Sequence, residues 1–458
     1  MSYHHRAILF LPIIEWTFRR QRPQQLARCF ARAGWRVYYP RLRLAAQAEP
    51  PQLVESGIWQ LTLAGDPELD PYQRPLSAAD AASALSSLQG LPPAHDLRGC
   101  WVVAQLPGWR ALAEAARAAF GGALLFDCMD DFSSFGDHAD LGSEERALAV
   151  AADLVTVTAE ALHAKLAPAS RRCRIVRNGC DPEHFGPAIA RPRPGRRPVV
   201  GFFGGIHDWF DGPLVAALAR RRPEWNFWLV GDTYRGNVEE LRALSNVRFW
   251  GELSYAGLPR VASWFDVGLI PFVRTPLTLA TNPVKVYEML AAGLPVVAVD
   301  LPELRPLQPL VALGEGVDEL EALLAAALAE EPVLRQRRRE VALQHSWVER
   351  FLELRAAMAE AAPQVGAEVA LEPDGSGEAV FDAALEPGRL GRSAADRDEE
   401  NARLLALAES LVEQRDRVHA EAERLAGELQ RVEGERLAGE RALHAIHTSR
   451  SWRIATAM

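Results

Sequence analysis

Two charged residues near the start of a short predicted helix carry the clearest chemical signal in the chain. The segment from Thr278 to Glu303 predicts a loop, a helix and then a strand, with Asn282 as the N-cap and Pro283 in the first helical position. Lys285 falls in the first turn, where the helix dipole is already positive, so a cation there costs about 0.3 to 1 kcal/mol unless an anion binds beside it. Glu288 follows three residues later and shares the same face of the helix.

This arrangement suits a sugar nucleotide. The free N–H groups of a helix start and the ammonium of Lys285 can hold a diphosphate, and the carboxylate of Glu288 can hold ribose hydroxyls. Only two of the 51 basic residues are lysines, Lys165 and Lys285, and the other 49 are arginines. Because an ammonium differs from a guanidinium in shape and donor geometry, a lysine at this helix start favours a functional role. The alternative is an exposed Lys285–Glu288 pair of almost no energetic value.

Composition and cysteine usage exclude several classes of protein. A length of 458 residues predicts about three modules, and 48% hydrophobic with 24% charged residues is typical of a globular protein. The net charge of −9 argues against a general nucleic-acid binder. Five scattered cysteines without a C-x-x-C motif fit a reducing compartment, and we expect neither a metal site nor a cofactor. The apolar run Ala7 to Ile14 is too short to span a bilayer, so we expect a first strand and a cytoplasmic protein.

Apolar runs alternate with helical patterns along the first 361 residues. The predicted strands are Arg6–Ile13, Trp35–Tyr39, Trp101–Gln105, Leu124–Cys128 and Leu154–Thr158 in the first half, and Val199–Phe203, Phe227–Val230, Val247–Trp250, Val267–Pro271 and Pro295–Val299 in the second. This alternation predicts an α/β fold with two Rossmann-like, doubly wound domains, residues 1–186 and 187–361, joined through a Pro/Arg-rich connector. We expect ligands in the cleft between them, at the carboxyl ends of the strands.

The C-terminal quarter has a different pattern. Residues 362–393 are rich in Gly, Pro, Ala and acid and predict a flexible linker. From 394 to 447, apolar residues recur at strict seven-residue steps: Leu404, Leu411, Val418, Leu425 and Val432. This spacing predicts a coiled coil that joins copies of the chain or recruits a partner, with a lone amphipathic helix as the alternative. The tail 448–458 either contacts a lipid surface or frays.

Seven segments between Arg6 and Phe351 together carry a resemblance to a known family. They are RPQQLARCFARAGWRVYYP at Arg22, LLFDCMDDFSSF at Leu124, ADLVTVTAEAL at Ala152, IVRNGCDPEHF at Ile175, VVGFFGGIHDWFD at Val199, FWLVGD at Phe227 and NPVKVYEMLAAGLPVV at Asn282. The chain resembles GT-B-fold glycosyltransferases of the family-4-like type, in a bacterial cell-envelope branch similar to teichuronic-acid glycosyltransferases. The resemblance implies transfer of a sugar from a nucleotide sugar, UDP- or GDP-linked, that is held mainly by the second domain. It also implies that the final long helix, here His345 to Ala361, crosses back onto the first domain.

The resemblance assigns roles residue by residue. Glu288 matches the second acid of the family's paired-glutamate motif, which implies contact with the donor ribose, but Ala280 stands where the first acid is expected. The family's usual Arg and Lys after the first strand of the second domain are absent, although Gly204 and Gly205 would let the backbone approach a phosphate. Lys285 is then the candidate catalytic cation for the leaving diphosphate. The residues expected to bind the donor are Gly204, Gly205, Asn282, Lys285 and Glu288.

Three aspartates on the first domain are candidates for acceptor chemistry. Asp127, Asp130 and Asp131 follow a predicted strand, so we expect at least one of them in the cleft, where a carboxylate could accept the proton of the acceptor hydroxyl. Asp130 and Asp131 are the catalytic candidates; the alternative is that Asp127 and Asp131 cap a loop or a helix start. His138 and His207 are further candidates, although a lone histidine is more often structural. The resemblance leans towards retention of the anomeric centre, which would need no base, whereas an essential Asp130 would favour inversion; the sequence leaves both open.

A basic stretch gives the chain a candidate membrane contact. Between Trp16 and Leu44 there are eight arginines and no acid, so a basic helix face could sit on anionic lipid at the inner face of the membrane, or could simply be solvated. The sequence therefore predicts a glycosyltransferase that transfers a sugar to a saccharide or lipid-linked acceptor in surface polysaccharide biosynthesis. The alternatives are a sugar-nucleotide epimerase of the same architecture and a non-catalytic sugar-binding scaffold with a partner-binding coiled coil.

Overall fold

The computed structural model of the chain describes residues 6–134, 141–186, 197–330 and 333–365. All of these belong to one compact unit, Met1–Phe381. The predicted coiled coil and tail, most of the predicted linker, residues 187–196 of the connector and His138 lie outside the described residues.

The first domain is built on an eight-stranded sheet with the order β3-β4-β2-β1-β5-β6-β7-β8. Its strands are Ala7–Leu11 (β1), Arg36–Pro40 (β2), Glu49–Glu55 (β3), Ile58–Thr62 (β4), Trp101–Ala104 (β5), Ala123–Cys128 (β6), Leu154–Val157 (β7) and Cys173–Ile175 (β8). Every neighbouring pair is parallel except β3 and β4, which are antiparallel. The strand order reverses between β1 and β5.

The second domain is built on a six-stranded, fully parallel sheet with the order β11-β10-β9-β12-β13-β14. Its strands are Val199–Phe203 (β9), Asn226–Val230 (β10), Val247–Phe249 (β11), Val267–Ile270 (β12), Val296–Val299 (β13) and Val311–Gly314 (β14). In the register of this sheet, Val200 pairs with Phe227 on one side and with Val267 on the other. The strand order reverses between β9 and β12.

Helices cover both faces of the sheets. They are Arg22–Arg32 (α1), Ala78–Gln89 (α2), Arg110–Phe120 (α3), Leu141–Ala151 (α4), Glu160–Leu166 (α5), Pro182–Phe185 (α6), Gly212–Arg221 (α7), Glu239–Arg242 (α8), Leu258–Ala262 (α9), Pro276–Leu279 (α10), Val284–Ala291 (α11), Gly316–Leu328 (α12), Val333–Gln344 (α13) and Trp347–Ala361 (α14). In β1, Leu9 and Phe10 point to opposite faces and enter different hydrophobic clusters, as the pleat of a strand buried on both sides requires. The α/β fold with parallel sheets agrees with the expectation from the sequence.

The last described helix joins the two domains. α14 leaves the second domain and packs on α1 of the first, with Phe351 and Leu354 in the same hydrophobic cluster as Leu26 and Phe30. The rings of Phe30 and Phe351 meet edge to face, with their centroids 4.9 Å apart. The first domain therefore has part of its core supplied by the C-terminal end of the described chain.

Several element boundaries differ from those expected. The strands that were not predicted are β3, β4, β8 and β14. Three of them lie at sheet edges. Of these, β8 and β14 are short, and β3 is polar and contains prolines. The final long helix, expected from His345, begins at Trp347 because the side chain of Ser346 accepts a hydrogen bond from the N–H of Glu349 and caps α14. The predicted cap of α11 is also wrong: the helix begins at Val284 with Pro283 in the N-cap position and no side-chain cap.

Candidate functional site

A cavity of about 960 Å³ lies between the two domains. Its walls come from the loop between β1 and α1, from Met129 and Asp130 after β6, from Gly204 and Gly205 after β9, and from the start of α11. β1 and β9 are the strands at which the two sheets reverse their order. The loops on either side of such a reversal run in opposite directions and leave a crevice at the carboxyl ends of the strands, which is where ligands bind in open α/β sheets. The cleft predicted from the sequence is therefore present.

Lys285 reaches this cavity from the first turn of α11, which contains no acid. Among the described residues, no carboxylate forms an ion pair with its ammonium. The Nζ atom lies 5.9 Å from the centre of the Phe202 ring and 5.7 Å from that of Phe272. Burial lowers the pKa of Lys285, with Glu288 acting against this shift and Arg19 adding to it. A partly desolvated cation at a helix N-terminus is a strong attractor for an anion.

Gly204 makes room for this lysine. A Cβ atom on Gly204 would lie 1.8 Å from Cε of Lys285, and the residue has a φ of +135°, which side-chain-bearing residues rarely adopt. The Gly204 N–H donates to the carbonyl of Val230 at 2.8 Å, so it is not free for a phosphate. Gly231, at the end of β10, approaches just as closely, since its Cβ would lie 1.8 Å from the Gly204 carbonyl oxygen. The glycine after β9 thus positions the Lys285 side chain, a role that the sequence did not predict.

Glu288 lines the same cavity and is 6% exposed. Its carboxylate accepts no hydrogen bond from any side chain or backbone group of the described residues. Burial raises the pKa of Glu288 to about 7; Lys285 opposes this shift and Asp181 adds to it. A buried carboxylate with unused acceptor capacity can bind hydroxyl groups of a ligand.

Two of the three candidate aspartates are held by the protein itself. Asp127 is fully buried and pairs with Arg22, whose Nη2 lies 2.7 Å from Oδ1, and it also accepts hydrogen bonds from Gln105 and Thr156. Burial alone would raise the pKa of Asp127, but Arg22 and these hydrogen bonds hold it below its usual range. Asp131 pairs with Lys165 and accepts hydrogen bonds from the two serines that follow it, which caps a short turn. Asp131 thus caps a turn, as the structural alternative describes, whereas Asp127 is held inside β6 by an ion pair and caps no helix or turn of the described residues.

Asp130 has a different environment. It lines the cavity, and its carboxylate has no hydrogen-bond or ion-pair partner in the described part of the chain. Burial raises the pKa of Asp130 to about 6, and the neighbouring Asp131 adds to the shift. A carboxylate with this pKa can take up a proton near neutral pH, so of the two catalytic candidates only Asp130 stands where a reaction in the cavity could use it.

Asn282 is committed to a contact between the domains. Its Oδ1 accepts from the N–H of Asn178 at 3.0 Å, and its Nδ2 donates to Tyr287 at 3.0 Å and to Glu303 at 3.2 Å. Its backbone carbonyl also accepts from Nδ2 of Asn178 at 2.7 Å. Asn282 is 1% exposed, so its side chain has little capacity left for a donor substrate, and its contacts tie the segment before α11 to the first domain.

A charged cluster at the rim of the cavity contains one candidate from the sequence, His207, and three residues that were not predicted, Arg19, Asp232 and Glu252. Arg19, in the loop after β1, crosses to the second domain and pairs with Asp232 and with Glu252, the latter at 2.6 Å. Nε2 of His207 lies 2.8 Å from Oδ1 of Asp232, and burial lowers the pKa of His207, with Arg19 adding to the shift. The only signal available was that Arg19 and Asp232 each follow a predicted strand that ends at the cleft.

Two sequence features take on a different meaning in the structure. Ala280, at the position of the family's first acid, is 5% exposed and packs with the core of the first domain. The eight arginines between Trp16 and Leu44 do not share one exposed face. Arg22 is 1% exposed and pairs with Asp127, and Arg28 pairs with Glu55.

Neither a metal cluster nor a membrane span appears in the portion of the chain that the structure describes. Among these residues, no group of three or more His, Cys, Asp or Glu side chains could hold a metal ion. No helix within the described ranges combines the length and the apolar character that crossing a bilayer requires.

Comparison with known proteins supports the family resemblance that the sequence motifs carry. Residues 197–329, which contain Gly204, Lys285 and Glu288, match the family model described as "Glycosyl transferases group 1". The resemblance to GT-B glycosyltransferases is confirmed. The chain is 30% identical over 207 residues to TuaH of Bacillus subtilis (strain 168), whose name assigns it to glycosyl transfer in teichuronic acid biosynthesis. That match covers 40% of this chain and 52% of TuaH, so the chain spans about half the length of this curated relative.

Solved structures of GT-B type share the fold. Sucrose-phosphate synthase from Thermosynechococcus elongatus superposes with a TM-score of 0.62 and 16% identity, covering 80% of this chain and all (100%) of that one. Anabaena Alr3699/HepE, solved in complex with UDP-glucose, superposes with a TM-score of 0.57 and 16% identity, covering 78% of this chain and 100% of HepE. At these identities the likeness concerns the arrangement of the two domains.

Proposed function

We propose that the protein is a glycosyltransferase that transfers a sugar from a nucleoside-diphosphate sugar to a saccharide or lipid-linked acceptor in surface polysaccharide biosynthesis. The observation that carries this proposal is the unpaired, partly desolvated ammonium of Lys285 at the start of α11, inside a cavity between two Rossmann-like domains. A cation held without a direct ion pair at a helix N-terminus is costly unless a ligand supplies negative charge beside it. The group 1 match over residues 197–329 supports the same reaction class.

The donor is assigned to the second domain, residues 187–361, and the acceptor to the first, residues 1–186. Lys285 binds the diphosphate, and Glu288 accepts hydrogen bonds from ribose hydroxyls, for which its buried carboxylate has unused acceptor capacity. A UDP-linked sugar is the first donor to test, since HepE was solved with UDP-glucose, and a GDP-linked sugar is the second. Five free and buried cysteines support a reducing, cytoplasmic setting.

The proposed chemical step uses the charged groups that line the cavity. The acceptor hydroxyl attacks the anomeric carbon, its proton passes to the Asp130 carboxylate, and the bond from that carbon to the diphosphate oxygen breaks. The leaving diphosphate carries the electron pair away, and Lys285 stabilises the negative charge that develops there. The partial burial of both groups strengthens these interactions, because little water competes with them. A direct displacement of this kind inverts the anomeric centre, whereas a retaining reaction would leave Asp130 dispensable.

The proposal is tested with the full chain and a panel of UDP-, GDP- and ADP-linked sugars. We expect one donor to raise the melting temperature and to yield a glycosylated product only when an acceptor is added. Conversion of the donor to its epimer without an acceptor would identify an epimerase instead. Absence of both binding and turnover with every donor would refute the proposal in favour of a non-catalytic scaffold.

A further inference from the structure

Arg19 brings a second cation to the place where Lys285 lies, but from the other domain. Its guanidinium reaches over Gly205, with Nη1 3.2 Å from where a Cβ atom on that glycine would be. Nε pairs with Glu252 at 2.6 Å, and Nη2 pairs with Asp232. Nη1 has no hydrogen-bond partner among the described residues, so one edge of the guanidinium is unused and lies above the turn.

The two cations stand above consecutive glycines. Lys285 covers Gly204, with Nζ 2.7 Å from the position of a Cβ, and Arg19 covers Gly205 in the same way. Both side chains also line the cavity between the domains, so the two positive charges face the same space. Arg19 contributes to the lowered pKa of Lys285, which is the electrostatic sign of this proximity. Two like charges side by side, next to a helix N-terminus, favour a ligand with more than one negative charge.

The carboxylates that hold Arg19 can release it at low cost. Glu252 is 44% exposed and can be solvated in place of its ion pair. Asp232 keeps other partners when Arg19 leaves, because it also accepts from the backbone N–H of Tyr234 at 3.0 Å and lies 2.8 Å from Nε2 of His207. The ion pairs of Arg19 are therefore exchangeable, unlike the fully buried pair of Arg22 and Asp127.

We propose that Arg19 is a donor-binding residue whose guanidinium binds the diphosphate opposite Lys285, in exchange for part of its contact with Asp232 and Glu252. This inference rests on the proposed function and adds the residue that replaces the cations missing after β9. Because Arg19 belongs to the first domain and Lys285 to the second, the diphosphate site is complete only when both domains face the ligand. Donor binding and the relative position of the domains are thereby coupled.

The test uses isothermal titration calorimetry of the full chain with inorganic pyrophosphate, and with UDP and GDP. Arg19→Gln is expected to weaken pyrophosphate and nucleoside-diphosphate binding about tenfold or more, the value of a charged hydrogen bond, and Arg19→Lys to restore part of it. Glu252→Gln is expected to tighten binding by up to about fivefold, because the guanidinium loses a competing carboxylate. Arg43→Gln, which removes an exposed arginine paired with Asp70 away from the cavity, is the matched control and should bind as wild type does.

A double-mutant cycle separates direct contact from a domain tie. If Arg19 binds the diphosphate, the gain from Glu252→Gln disappears in the Arg19→Gln background. If Arg19 only ties the domains together, Glu252→Gln weakens binding as Arg19→Gln does, and the proposal is overturned. Wild-type affinity in Arg19→Gln, or no pyrophosphate binding by the wild type, overturns it as well. The expected pattern with pyrophosphate but no transfer from any nucleotide sugar leaves Arg19 assigned and removes the proposed function instead.

Discussion

Substitution of Lys285 by methionine separates function from stability more sharply than any other single change. Methionine keeps much of the length and apolar stem of lysine but removes the charge. One charge-assisted hydrogen bond to a diphosphate contributes about 1.5 to 3 kcal/mol, so kcat/KM for the donor should fall about 10- to 150-fold, with a higher donor KM and a lower kcat. Removing this cation relieves its repulsion with the N-terminus of α11 but also removes the charge that opposes the raised pKa of Glu288, so the two effects offset and the melting temperature should change little.

The other lysine of the chain provides the matched control. Lys165 pairs with Asp131 and, at 2.5 Å, with Glu145, whose side chain is 1% exposed. Lys165→Met leaves that buried carboxylate without its cation and should cost about 1 to 3 kcal/mol of stability, reduced because Lys165 is itself 32% exposed. The donor KM should stay near wild type. Steady-state kinetics and thermal melts of both variants decide the matter. Unchanged donor kinetics in Lys285→Met would refute the role of this ammonium.

The remaining predictions concern the acceptor base, the glycine turn and the C-terminal segment. Because Asp130 must be deprotonated to accept a proton, kcat/KM should rise as the pH rises through about 6. The Asp130→Asn variant should lower kcat about 100-fold or more and abolish this rise. Full activity of that variant would contradict the assignment. Gly204→Ala should displace Lys285 and raise the donor KM. Gly121→Ala is the control, because Gly121 also has a positive φ (+64°) but an added Cβ would meet no atom within 4 Å. This control should lower only the melting temperature. Deletion of residues 394–458 should change the oligomeric state, measured by light scattering, and spare transfer; loss of donor binding would show that the boundary is misplaced.

The central strands could be predicted because their signal is local. β9, with the sequence VVGFF, and β13, with VVAV, are buried on both faces, so nearly every residue in them is apolar. Edge strands carry a weaker signal. β3 contains two consecutive prolines and exposed polar residues, and its position beside β4 depends on a neighbour rather than on its own composition.

The candidate site residues also differ in whether their environment depends on local sequence or on distant contacts. Lys285 and Glu288, which were singled out by local features (a helix start and a three-residue spacing), both line the cavity. Asp127 and Asp130 are three residues apart and look alike in the sequence. Asp127, inside β6, is neutralised by Arg22, whereas Asp130, just after the strand, faces the cavity. That difference is set by which distant side chain approaches each carboxylate.

The sequence by itself determined the two α/β domains, the cleft at the strand ends and the cation at the start of α11, since each depends on residues close together along the chain. Tertiary structure alone decided that Gly204 houses the Lys285 side chain, that Asn282 ties the domains together, and that Arg19 reaches Asp232 across 213 positions of sequence. The physical reason is that hydrophobic periodicity reports which face of an element is buried, whereas the partner of a polar side chain depends on which distant loops the packing brings within hydrogen-bond distance.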